Sequence, residues 1–181
     1  MSEKKFLVVV DMQKDFIDGS LGTGEAALIV DAAAARIRAC RTAGCRVIAT
    51  MDTHEENYLD TPEGKKLPVR HCIRGTEGWR LNPKIREALG DAAVLVEKPT
   101  FGSVELPGII ERETQPGDRL AIELLGLCTD ICVISNALLL KARFPEARIA
   151  VNARCCAGVT PQKHQAALDV MQSCQIDLIA D

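Results

Sequence analysis

Aromatic residues are scarce, 3% of 181 residues with one Trp and one Tyr. Ala, Val, Leu and Ile dominate instead, a balance that suits helices packed on a parallel sheet better than a β-sandwich. No apolar run approaches the roughly 20 residues needed to cross a bilayer; Phe6 to Val10 is typical of those present. No basic-then-apolar leader precedes a small-residue cleavage site, so the expectation is a cytoplasmic protein without a membrane partner. Blocks of like charge are also missing: 22 Lys and Arg are interspersed with 25 Asp and Glu, for a formal charge of -3. That excludes the basic footprint of a nucleic-acid binder. Eight cysteines are present, but no Cys-x-x-Cys pair occurs among Cys40, Cys45, Cys72, Cys128, Cys132, Cys155, Cys156 and Cys174, so they read as reduced thiols and not as a disulfide scaffold. There is no repeat, no P-loop and no Gly-x-Ser-x-Gly elbow.

What is present is a rhythm. Six short aliphatic or β-branched runs alternate with helical stretches: Lys5 to Val10, Cys45 to Met51, Ala92 to Glu97, Arg119 to Leu124, Arg148 to Val151 and Asp177 to Ile179. Between them, Gly24 to Ala43 reads as one Ala-rich helix ending at Gly44, Thr129 to Arg143 as a helix with a capping Thr-Asp, and Thr160-Pro161 as the start of the last helix. The expected fold is α/β, a three-layer αβα, doubly wound, six-stranded and mostly parallel sheet, in one domain over 1–181. Thr53 to Pro83, rich in Pro and Gly, reads as one long loop, and a loop of that length inside a compact domain is usually functional. A dinucleotide fingerprint at Gly22 to Ala27 is discarded, because it lies about ten residues beyond its strand instead of forming the strand's own turn.

In such folds ligands bind beyond the carboxyl ends of the strands. The first run ends at Asp11, the second at Asp52 with His54 two residues on, the third at Lys98, and the fourth leads through Gly126 to Cys128 and Cys132. Taken alone, Cys132 reads as a buried thiol, Asp11 as a loop cap and Lys98 as a solvated cation. Taken together they supply a nucleophile, a base and an orienting cation. Cys132 at a helix start has an amino-terminal dipole that lowers a thiol's pKa, so a thiolate is expected. Of only three histidines, His54 and His71 fall in the long loop beside Asp52, and Asp-x-His is a sound start for a divalent metal, with His71 and Glu63 as further ligands. His164, Cys155, Cys156 and Trp79 carry no assigned chemistry.

These residues resemble the isochorismatase-like cysteine hydrolase family, and within it the metal-binding nicotinamidase/pyrazinamidase branch. Asp11-Met12-Gln13-Lys14-Asp15-Phe16 is similar to its first motif, Glu97-Lys98 to its second, and Gly126-Leu127-Cys128-Thr129-Asp130-Ile131-Cys132-Val133 to its nucleophile motif. The resemblance implies an Asp11, Lys98, Cys132 triad, a cis peptide joining Leu127 to Cys128, and an oxyanion hole from the backbone N–H groups of Cys128 and Cys132. Asp52-Thr53-His54 and His71-Cys72 resemble the branch's metal motifs, which implies a divalent ion (zinc, iron or manganese) holding the ring nitrogen of an amide. Phe16, Leu127 and Phe101, with Tyr58 as a further ring, are the expected substrate contacts. The chain departs from the branch at Leu67-Pro68-Val69-Arg70, where an aromatic usually precedes the His-Cys pair, and Arg70 and Arg74 could instead meet an acidic substrate. The expected activity is hydrolysis of a small carboxamide, nicotinamide first. The alternatives are another family amidase acting on an N-carbamoyl or ureido compound, and a non-catalytic thiol or metal sensor built on Cys128 and Cys132, one helical turn apart. The family also implies a homodimer or homotetramer.

Overall fold

The computed structural model describes residues 3–179, so the two residues at each end of the expected domain lie outside it. Its six strands are β1 (Glu3–Val10), β2 (Arg46–Asp52), β3 (Val94–Lys98), β4 (Arg119–Leu127), β5 (Arg148–Ala157) and β6 (Asp177–Ile179). They form one sheet in the order β3-β2-β1-β4-β5-β6, with every pairing parallel. The helices are α1 (Lys14–Ile17), α2 (Gly24–Leu28), α3 (Val30–Thr42), α4 (Pro62–Lys66), α5 (Pro83–Leu89), α6 (Leu106–Arg112), α7 (Ile134–Arg143) and α8 (Pro161–Ser173). α3 packs on α5, whereas α7 packs on α6 and α8, the two helical layers that right-handed crossovers build on a doubly wound sheet.

β1 lies at the centre because its sequence demands cover on both faces: Phe6 through Val10 are all buried, without the alternation of a half-exposed strand. Each such aliphatic side chain contributes about 2 kcal/mol on burial. The register sets Val10 against Thr50 of β2 and Gly126 of β4, which brings three strand ends level.

Several boundaries differ from the sequence expectation. β4 runs three residues past Leu124, and β5 runs six past Val151 to Ala157. The polar Asn152 and Arg154 hide β5's second half from a hydrophobic pattern, and a register shift between Leu124 and Gly126 absorbs the mismatch. β2 and β3 end one residue later than expected, at Asp52 and Lys98, so these side chains sit on the last strand positions. The single helix expected over Gly24 to Ala43 breaks at Ile29 into α2, capped by Thr23 Oγ1 accepting from Ala26 N, and α3. The helix expected from Thr129 begins as a π-helical turn, Thr129–Val133, before α7. The last helix starts as expected, with Thr160 Oγ1 accepting from Lys163 N.

The segment after β2 is not one unstructured loop. A 3₁₀ turn (Tyr58–Asp60) and α4 form within it, α4 starting where Thr61 Oγ1 accepts from Gly64 N ahead of Pro62. The bridge His54–Ile73 closes the segment on itself, and the bridge Gln13–Leu81 ties it to the residues after β1. Among the described residues, no helix is long and apolar enough to cross a membrane.

Candidate active site

The strand order reverses between β1 and β4, the switch point where crossovers diverge to opposite sides and leave a crevice. Asp11 follows β1 at φ +48°, a conformation that costs a non-glycine residue about 1 kcal/mol or more. It is held by its own N–H donating to Thr50 O (3.1 Å) and by Thr50 Oγ1 donating to its Oδ1 (2.6 Å). Gly126 makes room for this turn: at φ +123°, any Cβ there would overlap the Val10 carbonyl oxygen.

Lys98 reaches past the end of β2 into the same crevice. Its Nζ lies 2.6 Å from Asp11 Oδ2 and 3.5 Å from Cys132 Sγ, and donates to Thr100 O at 3.0 Å. Asp11, Lys98 and Cys132, separated by 87 and 34 positions along the chain, therefore meet around one ammonium. The Leu127–Cys128 peptide is cis, as the resemblance implied.

Burial raises the Asp11 carboxyl above its ordinary 3.8, against the pull of Lys98. Burial opposes charge on Lys98 too, but Asp11, Cys132 and Asp52 outweigh it and hold the amine firmly protonated. The Cys132 thiol is pushed well above 9.0, first by burial and then by Asp11, with Lys98 opposing. This corrects the expected thiolate. The first turn is π-helical, the sulfur is almost fully enclosed, and a carboxylate abuts it, so the dipole does not prevail. Cys132 therefore rests as a thiol, and its use as a nucleophile would require a base.

A cavity of about 300 Å³ opens onto the sulfur. Phe16, Phe101 and Leu127 line it together with Cys128 and Cys132. Leu67 is also in the wall, in the stretch where the resembled branch carries its aromatic. Tyr58 is not: its ring packs against His54 and His71 (centroids 4.6 and 4.9 Å) and its hydroxyl donates to Leu67 O. Arg70 pairs with Glu56 and Arg74 with Glu55 and Glu97, so neither arginine faces the cavity; the basic residue in its wall is Lys163.

Three of the four residues expected to hold a metal, Asp52, His71 and Glu63, also line the cavity. One ligand atom from each of Asp52, His54 and His71 lies within 4.8 Å of the others, and all three side chains are buried. Asp52 Oδ2 is 3.0 Å from His54 Nε2 and 3.5 Å from His71 Nε2, and Glu63 Oε1 is 3.7 Å from His54 Nε2. His71 Nδ1 donates to Val69 O at 2.8 Å, which leaves Nε2 free to turn toward the Asp52 carboxylate. Burial alone would raise the Asp52 carboxyl, but hydrogen bonds from His54 and His71, with Lys98, hold it far below the usual range. One ionised carboxylate with two convergent imidazoles fits a borderline divalent cation and does not discriminate among zinc, iron and manganese.

Besides Thr50, three supporting residues were not singled out from sequence. Gln13, fully buried, receives Asp52 N on Oε1 (2.7 Å) and donates from Nε2 to Asp52 O (2.8 Å) and Trp79 O (2.8 Å). Asp15 Oδ2 accepts from Cys72 N (2.7 Å), placing His71. Asn136, one turn after Cys132, donates to Cys132 O (2.8 Å) and Phe101 O (3.3 Å) and accepts from Ser103 N. The available signal was an amide in an apolar run, which burial requires to be hydrogen-bonded. All eight cysteines are free thiols.

Residues 5–180 match the family described as Isochorismatase domain. The chain is 31% identical over 175 residues to the "Uncharacterized isochorismatase family protein PncA" of Bacillus subtilis, covering 91% of this chain and 92% of that protein. It is 26% identical over 186 residues to the "Nicotinamidase/pyrazinamidase" of Mycobacterium tuberculosis, covering 96% and 97%. The crystal structure of the pyrazinamidase of Pyrococcus horikoshii in complex with zinc superposes with a TM-score of 0.83 at 26% identity, covering 97% of this chain and 98% of that one.

Proposed function

Because the chain belongs to the isochorismatase family, we propose that it hydrolyses a small aromatic carboxamide, nicotinamide first, through a thioester on Cys132. The observation that carries this reading is Lys98 Nζ lying 2.6 Å from Asp11 and 3.5 Å from Cys132, the residue among these three that lines the cavity. Asp11 takes the thiol proton as Cys132 Sγ bonds to the amide carbon. The carbonyl oxygen becomes an oxyanion, received by the backbone N–H groups of Cys128 and Cys132, donors worth several kcal/mol when preorganised. As the C–N bond breaks, Asp11 returns the proton and ammonia leaves. Water then attacks the thioester while Asp11 accepts its proton, the acid departs, and the proton returns to the sulfur. Lys98 keeps Asp11 oriented and compensates charge on the thiolate.

Asp52, His54 and His71, with Glu63 beside them, would hold a divalent ion, since one carboxylate and two imidazoles suit zinc, iron or manganese alike. When bound, such an ion supplies a Lewis-acid anchor for a ring nitrogen. Phe16 and Phe101 would flank the ring.

Ammonia release from nicotinamide, compared between native protein and Cys132→Ala, tests the proposal. Equal rates would eliminate it. Leu67 in the cavity wall and Lys163 at its edge favour one second reading, a small N-carbamoyl or ureido acid, and such a compound belongs in the same assay.

A further inference from the structure

His164 lies on α8, 32 positions beyond Cys132, in a part of the chain with no sequence motif for chemistry. Yet α8 and the strand end before it grip the nucleophile turn at two points. Thr129 Oγ1 and His164 Nδ1 are hydrogen-bonded at 2.7 Å, and Asp130 Oδ1 accepts from Val159 N at 2.9 Å. Thr129 is fully buried, so its hydroxyl has no solvent to turn to if the imidazole is removed. Gly158 is what lets the parts close: a Cβ there would come within 2.8 Å of both Asp130 Oδ1 and His164 N.

Thr129 and Asp130 stand between the two residues expected to face the oxyanion. Cys128 O accepts from Ile131 N (3.0 Å) and Val133 N (3.1 Å), which makes the turn one hydrogen-bonded unit. Its rear end is fastened by Asn136 to Cys132 O. Its front end is fastened by His164 and Val159. A shift at Thr129 therefore moves the amides of Cys128 and Cys132 and the sulfur together.

We propose that His164 is a positioning residue for the nucleophile: through Thr129 it fixes the π-helical turn that presents Cys132 Sγ and the adjoining backbone amides to the bound carbonyl. This rests on the role proposed above for Cys132. Burial keeps the imidazole below its usual 6.5, so at neutral pH it acts as an uncharged hydrogen-bonding partner. Gly158, Val159 and Lys163 also wall the cavity, so a substrate seated against them bears on the same clamp.

Two readouts test it. The rate at which iodoacetamide alkylates Cys132, followed by peptide mass analysis, reports on the nucleophile whatever the amide; kcat and KM are measured on nicotinamide. His164→Ala and Thr129→Val should each slow alkylation and lower kcat by about tenfold to a hundredfold, with KM nearly unchanged. The double variant should be no slower than either single one, because both break the same bond. His164→Asn, which keeps a polar atom near Nδ1, should recover most of the loss. Native rates in His164→Ala, or losses that multiply in the double variant, would overturn the proposal. If His164→Ala does not fold, Thr129→Val with a native melting temperature decides the matter. A native protein inert to nicotinamide would count against the reaction above, and the alkylation rates would still judge the clamp.

Discussion

Lys98 Nζ lies 3.5 Å from Asp52 Oδ1, so the cation that serves Asp11 and Cys132 also touches the carboxylate of the metal-type cluster. Two groups of residues gathered at the ends of different strands share one buried charge. Breaking that charge should therefore be felt in both.

Lys98→Met is expected to abolish turnover and to destabilise the fold by about 3 to 5 kcal/mol, the cost of stranding buried carboxylates. Adding Asp11→Asn should restore part of the stability and none of the activity, since the pair is then neutralised together. Urea unfolding with ammonia release measures both. A Lys98→Met protein of native stability would contradict the buried network.

Thr50→Val should move the acid limb of kcat/KM to higher pH. The Thr50 hydroxyl favours the ionised Asp11 carboxyl, whose pKa burial already holds above 3.8. Losing that donor raises it further, so the base is protonated over a wider acidic range. A limb that stays put or moves down would show that Asp11 is not the titrating group.

His54→Ala should lower affinity for zinc by about a hundredfold, and Glu63→Gln by about tenfold or less, as read by metal content after equilibrium dialysis. Acid should act in the same direction. Burial opposes charge on His71, but Asp52 and the Val69 carbonyl outweigh it and keep its proton above the ordinary 6.5. A cation must displace that proton, so affinity weakens as pH falls through this range. Zinc binding that is indifferent to pH and to His54 would rule out the cluster.

Gly126→Ala should cost about 3 kcal/mol or more, because the added methyl meets the Val10 carbonyl and the residue keeps a φ that favours glycine. Thermal melts check it; a loss under about 1 kcal/mol would mean that β1 and β4 separate easily.

The sheet was legible where strands are apolar throughout, as in Phe6–Val10, because a strand covered on both faces leaves a continuous hydrophobic run. It was illegible in the second half of β5, where Asn152 and Arg154 interrupt the run while the backbone continues to pair with β4. Asp11, Asp52 and Lys98 could be singled out because they stand at strand ends, whereas His71 and Glu63 lie in the segment between strands. Gln13, Thr50 and Asp15 were overlooked because their work is hydrogen bonding to neighbours 39, 39 and 57 positions away, which no local spacing encodes. The thiol's protonation was misjudged for a similar reason: a helix start is visible in sequence, whereas enclosure beside a carboxylate is not.

Asn136 joins Cys132 to Phe101 through the main chain alone, gripping one carbonyl of each. The ring at position 101 is 47% exposed and lines the cavity, while the residue's backbone carbonyl is held by Asn136. Exchanging that ring for another shape would retailor which guests enter while the reacting atoms keep their places, so selectivity in this scaffold can drift without the chemistry having to be reinvented.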